Sequence, residues 1–297
     1  MRNNNSLFDT FKKQFEGTAQ EEGAVIQSAE RKGSFLDFIN PTELVFLPSK
    51  GLYYPEGHPL HMQESLEIRQ MTAKEEDILT NRSFIKKGIV FDRLLESLLV
   101  NKNIRPDDLF IGDKNAVLIV SRISSYGSNY EFDTMCPSCN SKSNKSVDLT
   151  ECLNYSLDNI DQENDKFNKY AYERLATGNI LIKLPKTGWI VECRLLTGHD
   201  EKLLKQLSES KQKYTKDTDT SFTEMLSLII HKIEGEDERS IIAKALNVMP
   251  ASDALYLKKA FELLSPNIKL NFEFDCSSCG HSQEMEVPIT QEFFWPK

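Results

Sequence analysis

Two Cys-x-x-Cys turns, Cys136/Cys139 and Cys276/Cys279, lie 136 residues apart in this chain. Nearly the same tetrapeptide shortly precedes each: Tyr130-Glu131-Phe132-Asp133 before the first, Phe272-Glu273-Phe274-Asp275 before the second. A Cys-x-x-Cys hairpin offers two thiolates from one tight turn, and a tetrahedral structural metal site wants four. If the turns meet, the chain must fold back over nearly half its length. Alternating residues flank both turns, with Val147-Asp148-Leu149 after the first and Met285-Glu286-Val287-Pro288-Ile289 after the second. Strand, thiolate turn and returning strand make a zinc knuckle, and two facing knuckles make a zinc ribbon.

The reading taken here is one structural zinc held by Cys136, Cys139, Cys276 and Cys279, with a closed shell that leaves no position for a catalytic water. Other readings stay open at this level. Each knuckle could hold its own ion, with Cys152 as a further donor for the first and His281 for the second. The pairs could be redox thiols, although such motifs normally open a helix and these sit between strands. They could also be plain hairpin turns. Cys193 falls where the first half has Ile68, which marks it as core.

The repetition extends beyond the knuckles. Leu47-Pro48-Ser49-Lys50-Gly51 resembles Leu184-Pro185-Lys186-Thr187-Gly188, and Glu67-Ile68-Arg69-Gln70-Met71-Thr72 resembles Glu192-Cys193-Arg194-Leu195-Leu196-Thr197. The offset falls from 137 to 125, so the first half holds 12 extra residues, including Pro55-Glu56-Gly57-His58-Pro59. Thr72 precedes Glu75 by three and Thr197 precedes Asp200 by three, as helix-starting capping boxes do. Phe91, Leu95, Leu98 and Leu99 then match Phe222, Leu226, Ile229 and Ile230, one apolar helical face in each half.

The expected fold class is therefore α+β, with two related, duplicated α+β halves that each end in a β zinc knuckle and are joined by an acidic linker. Residues 1–43 read as a partly disordered, partner-binding arm. Residues 44–152 form the first repeat and 153–178 the linker. Residues 179–297 form the second repeat with an aromatic tail. Residues 208–221 read as a loop of low hydrophobicity inside the second repeat.

Composition narrows the function. Asp and Glu number 45 against 36 Lys and Arg, a net charge of -9, which argues against a phosphate-backbone binder. No window approaches a membrane span and no secretory signal opens the chain, so a soluble intracellular protein is expected. No phosphate loop, dinucleotide fingerprint, zincin motif or nucleophile elbow occurs. His58 and His61 fall in a Pro/Gly-rich loop and read as solvent-exposed. With only 13 glycines for active-site loops, the chain reads as non-enzymatic.

The ends are rich in apolar side chains. Leu7, Phe8, Phe11 and Phe15 lie on helical spacing, which suits a helix that docks in a partner's groove. Phe293, Phe294 and Trp295 form a terminal cluster whose burial is worth about 1.5–3 kcal/mol per ring. Either this tail plugs into a partner or it folds back to finish the core of the second repeat.

The run Leu47-Pro48…Gly51, Arg69…Met71-Thr72…Glu75-Glu76, Asp113…Ser121-Arg122…Tyr126-Gly127…Tyr130…Cys136-Pro137-Ser138-Cys139 resembles the T4-type baseplate protein family of contractile-tailed bacteriophages. The second half, with Arg194-Leu195-Leu196-Thr197-Gly198-His199-Asp200-Glu201 and the Pro288-Ile289…Phe293-Phe294-Trp295-Pro296 ending, is similar to longer members. The resemblance spans roughly residues 44–296. It implies a baseplate or hub role in the virion tail, assembly in the host cytoplasm, and hetero-oligomeric contacts with other baseplate and hub proteins. It brings no catalytic residues, and the acidic charge and the lack of an apolar span leave nucleic acid and membrane out of the expected partners. A non-virion hub assembly factor is the alternative, and a zinc-ribbon nucleic-acid regulator or a thiol oxidoreductase stands further off.

Overall fold

The fold of the first half starts from a strand pair that buries one face. Strands β1 (Thr42–Phe46) and β2 (Ser65–Arg69) run antiparallel with Val45 opposite Leu66. Val45, Leu66 and Ile68 are buried on one face, whereas Leu44 and Phe46 are exposed on the other. In a computed structural model of the chain, the described residues are 41–153, 169–214, 221–289 and 291–294. The expectations for Leu7, Phe8, Phe11, Phe15 and Trp295 lie outside them. The loop between β1 and β2 depends on Gly51, which has φ of 68°. A Cβ there would collide with the backbone of Leu60 and Gln63.

Helix α1 (Ala73–Leu79) starts at Thr72, whose amide donates to Glu75 Oε2 at 2.9 Å in a complete capping box. Such a cap is worth about 1 kcal/mol. Helices α2 (Arg82–Lys87) and α3 (Val90–Leu98) follow. On α3 and just beyond it, Leu95, Leu98 and Leu99 are buried and Phe91 is half-buried, as their spacing predicts. Helix α4 (Ile111–Tyr126) carries Ala116, Val117 and Ile119 into the same core. Strands β3 (Asn129–Met135) and β4 (Lys142–Asp148) make the first knuckle hairpin, and one turn of helix, α5 (Leu149–Cys152), closes this half.

The second half opens earlier than its sequence indicates. Strand β5 (Tyr172–Arg174) lies within the expected linker yet pairs with β6 (Ile180–Lys183). With β7 (Ile190–Cys193) and β8 (Ile230–Ile233) they form an antiparallel sheet in the order β5-β6-β7-β8. Helix α6 (Gly198–Tyr214) continues through Ser208–Tyr214, where a loop was expected. Glu209, Lys211, Gln212 and Lys213 are good helix formers with no Gly or Pro among them, and that propensity outweighs the lack of apolar residues. Helices α7 (Ser221–Ile229), α8 (Arg239–Val248) and α9 (Ala251–Leu264) precede the second knuckle hairpin, β9 (Asn271–Asp275) and β10 (Ser282–Glu286).

Core assignment departs most from expectation. One core gathers residues 45–152 together with Ile268, Val287, Phe293 and Phe294, and the other runs from Ile180 to Leu264. The end of the chain thus completes the first half, not the second. Phe293 and Phe294 are fully buried there, so they are not the partner-facing rings expected of the tail. Tyr130 packs edge-on to Phe293, with ring centroids 4.9 Å apart, and Arg122 Nε donates to the Phe293 carbonyl at 2.7 Å.

The cores meet along a polar seam. Ile111 N donates to Leu196 O at 3.0 Å and Gly198 N to Leu109 O at 2.9 Å. Lys114, nearly buried, reaches Asp92 at 2.8 Å and Glu201 at 2.6 Å. Burial works against its charge, but Glu201 and Asp92 hold its ammonium above the usual lysine range.

Candidate metal centre

Each knuckle is built by the same backbone device. In the first, Cys136 N donates to Ser141 O at 2.9 Å and Asn140 N returns to Cys136 O at 2.9 Å. In the second, Cys276 N donates to His281 O at 2.8 Å and Gly280 N returns to Cys276 O at 2.9 Å. Asn140 and Gly280 occupy the left-handed region, with φ of 58° and 71°, which the turn requires and which Asn and Gly tolerate best. The two hairpins share a small apolar cluster of Cys136, Phe274 and Cys276, against which Phe272 and Met285 pack. Lys145 on β4 reaches across to the Asp275 carbonyl at 2.8 Å.

These contacts bring four sulfurs together across the chain. Cys136 Sγ lies 3.7 Å from Cys279 Sγ, and Cys139 Sγ lies 3.7 Å from Cys276 Sγ. All four ligand atoms fall within 4.8 Å of one another, close enough to hold a metal ion. A tetrahedron with arms of about 2.3 Å has edges of about 3.8 Å, which the two separations of 3.7 Å match. A disulfide needs about 2.05 Å, and all six cysteines are free thiols.

The electrostatics fit a cation. The Ser141 hydroxyl and the Cys279 and Ser278 amides draw the Cys276 thiol down to about 5. The His281 amide also favours the Cys279 thiolate, but hydrogen bonding with Cys139 and Cys276 drives that thiol up to about 12. Four sulfurs this close cannot all ionise against one another, and a bound cation removes the repulsion.

Sequence reasoning missed Ser141. Its hydroxyl lies 3.1 Å from Cys139 Sγ and 3.3 Å from Cys276 Sγ, touching one thiol of each knuckle. The only hint is its place two residues after Cys139, where the second knuckle has His281. The rival donors do not join the cluster. Cys152 is buried in the first core, which pushes its thiol up to about 11. Cys193 is buried in the second core, as expected. His281 turns its Nε2 to Gln283 Oε1 at 3.1 Å.

The loop histidines are half-buried structural groups, not solvent-exposed ones. His58 stacks on Tyr54, with ring centroids 4.5 Å apart, and His61 Nδ1 meets the Tyr54 carbonyl at 2.6 Å. Among the described residues no helix is long and apolar enough to cross a membrane.

Residues 44–171 match a family model described as T4 bacteriophage base plate protein. The match includes Cys136 and Cys139 and stops before Cys276 and Cys279. Of the resemblance expected over 44–296, this is the first part. Comparison with curated proteins and with solved structures gave no match.

Proposed function

We propose that this chain, with residues 44–171 of the T4 bacteriophage base plate protein family, is a non-enzymatic component of a contractile phage tail. Its place is the hub or central region of the baseplate, and it acts by contact with other baseplate proteins. The family match carries this reading. The four-thiol centre supports a structural role, because four sulfur ligands close a tetrahedral shell and leave no open position for substrate or water. Zinc is the ion we assign, since a set of four cysteine thiolates with tetrahedral spacing suits it best.

We further read the two halves as copies of one unit. Each has a Leu-Pro-x-x-Gly turn after its first core strand and a threonine at the start of the next helix. Each also has a buried aspartate in the first turn of its last long helix, bonded back to that turn. Asp113 accepts from Ser49 N at 2.9 Å and Ser49 Oγ at 2.6 Å. Asp253 accepts from Lys186 N at 3.0 Å and Thr187 N at 2.9 Å.

Mass spectrometry of purified virions tests the functional reading. The expected result is that the chain is found in mature particles at baseplate stoichiometry. Its absence from particles, with retention on a hub precursor in infected cells, would replace the reading with an assembly factor that leaves before maturation.

A further inference from the structure

The first half carries a second feature, remote in sequence from the thiols. A surface cavity of about 720 Å³ lies over α1, α2 and α3. Four cations line it, Arg69, Lys74, Arg93 and Lys102, and its apolar part is Ile78 and Phe84, which pack against the first core.

The carboxylates nearby are already engaged. Glu75 is fully buried and accepts from Thr72 and Ser97, while Glu96 pairs with Arg93 at 2.7 Å. The Lys74 ammonium has no hydrogen bond or ion pair among the described residues. Arg69 donates through Nη2 to Ser97 O at 2.5 Å and Ser97 Oγ at 3.5 Å, and stands 3.6 Å from Glu75. Lys102 rests on the carbonyls of Glu96 and Ser97 at 2.9 and 3.2 Å. Partial burial, with Arg69 and Lys74 close by, holds its ammonium below the usual lysine range. In the second half, Arg194 instead places both Nη atoms on Asp200, at 2.8 and 2.7 Å. The first half therefore gathers four cations against the two carboxylates Glu75 and Glu96 over an apolar floor, a local excess of positive charge on a chain whose net charge is -9.

We propose that this cavity docks an acidic segment of a partner protein. Carboxylates of the segment meet Arg69, Lys74 and Lys102, and an adjacent apolar side chain rests on Ile78 and Phe84. A peptide suits the site better than a nucleic-acid backbone. The cations cluster around one apolar depression instead of following a stripe, and the acidic remainder of the chain repels a long polyanion. The inference goes beyond the baseplate reading and stands on the charge of this surface alone.

Fluorescence anisotropy on the full chain at low salt tests it. The probe is a labelled peptide in which aspartate and glutamate alternate with leucine and phenylalanine, beside the same peptide with amides in place of carboxylates. The acidic peptide is expected to bind about tenfold more tightly than the amide form. K74E/K102E is expected to weaken it by about tenfold, with a melting temperature lowered by no more than a few degrees through loss of the Lys102 hydrogen bonds. K244E/K259E makes the same charge change on exposed lysines of the second half and is expected to shift affinity less than about twofold. Equal affinity for the two peptides, or equal loss in the two double variants, would overturn the proposal. So would displacement of the peptide by duplex DNA or inorganic phosphate at lower concentrations than the peptide's own.

Discussion

Arg69 ends strand β2 and Arg194 follows strand β7, and each stands just before a threonine at the start of a helix. The second half closes its arginine in a bidentate pair with Asp200, whose carboxyl is held below the usual range despite burial. In the first half the corresponding acid is Glu75, one methylene longer, and it bonds to Thr72 and Ser97. One half therefore seals its arginine in a bidentate pair, and the other leaves it 3.6 Å from Glu75 at the edge of an open basic depression.

The largest expected effect comes from the feature the halves share. Cys139→Ser or Cys276→Ser removes one of the four thiols proposed to hold the ion, and an apparent binding energy of about 10–16 kcal/mol for a structural zinc would then be lost. Loss of the cooperative thermal transition, reproduced by a strong chelator on the native chain, is the expected result.

Next comes the tail. Phe293→Ala or Phe294→Ala empties a fully buried site and is expected to cost about 3–5 kcal/mol by denaturant titration. Comparable loss should follow Arg122→Met, which leaves the carbonyls of Phe293 and Gly127 without their donor. Near-neutral effects would mean that the first half does not need the end of the chain.

A sharper comparison pairs Arg194→Gln with Arg69→Gln. The first leaves a buried Asp200 with its Thr197 donors but without its bidentate counter-charge and is expected to cost about 3 kcal/mol. The second leaves Glu75 with its Thr72 and Ser97 donors and is expected to cost about 1 kcal/mol. Reversal of that order would contradict the sealed and open descriptions.

The smallest effects are in pH. Burial is the largest influence on both aspartates. It raises Asp113 above the ordinary 3.8, whereas the Thr187 and Lys186 donors outweigh it and lower Asp253. Stability from Asp253 is present above 3.8 and is lost as pH falls through its depressed value. For Asp113 the folded state binds its proton more tightly, so stability falls as pH rises from 3.8 through its raised value. Asp253→Asn should flatten the acid limb of a stability–pH curve, and Asp113→Asn should flatten the limb above 3.8.

The parts of this fold that sequence makes legible are local or chemically distinctive. The Thr72 cap, the stripes through Leu98 and Ile229, and the four thiols all announce themselves by spacing. The destination of Phe293 and Phe294 does not, because hydrophobicity demands burial without naming the core. Strand β5 is hidden because Tyr172, Glu173 and Arg174 gain their place from pairing with Ile180–Ile182. Asp113 and Asp253 are hidden because the chain from the Leu-Pro-x-x-Gly turn to each differs in length. Ser141 is hidden because a serine beside a cysteine is unremarked until the other knuckle arrives.

One ion is proposed to join sulfurs from the two halves of the chain. X-ray absorption at the zinc edge, on protein of measured metal content, addresses it most directly. One zinc per chain with four sulfur neighbours at about 2.3 Å is predicted. Two ions per chain, or a shell containing nitrogen or oxygen, would contradict it.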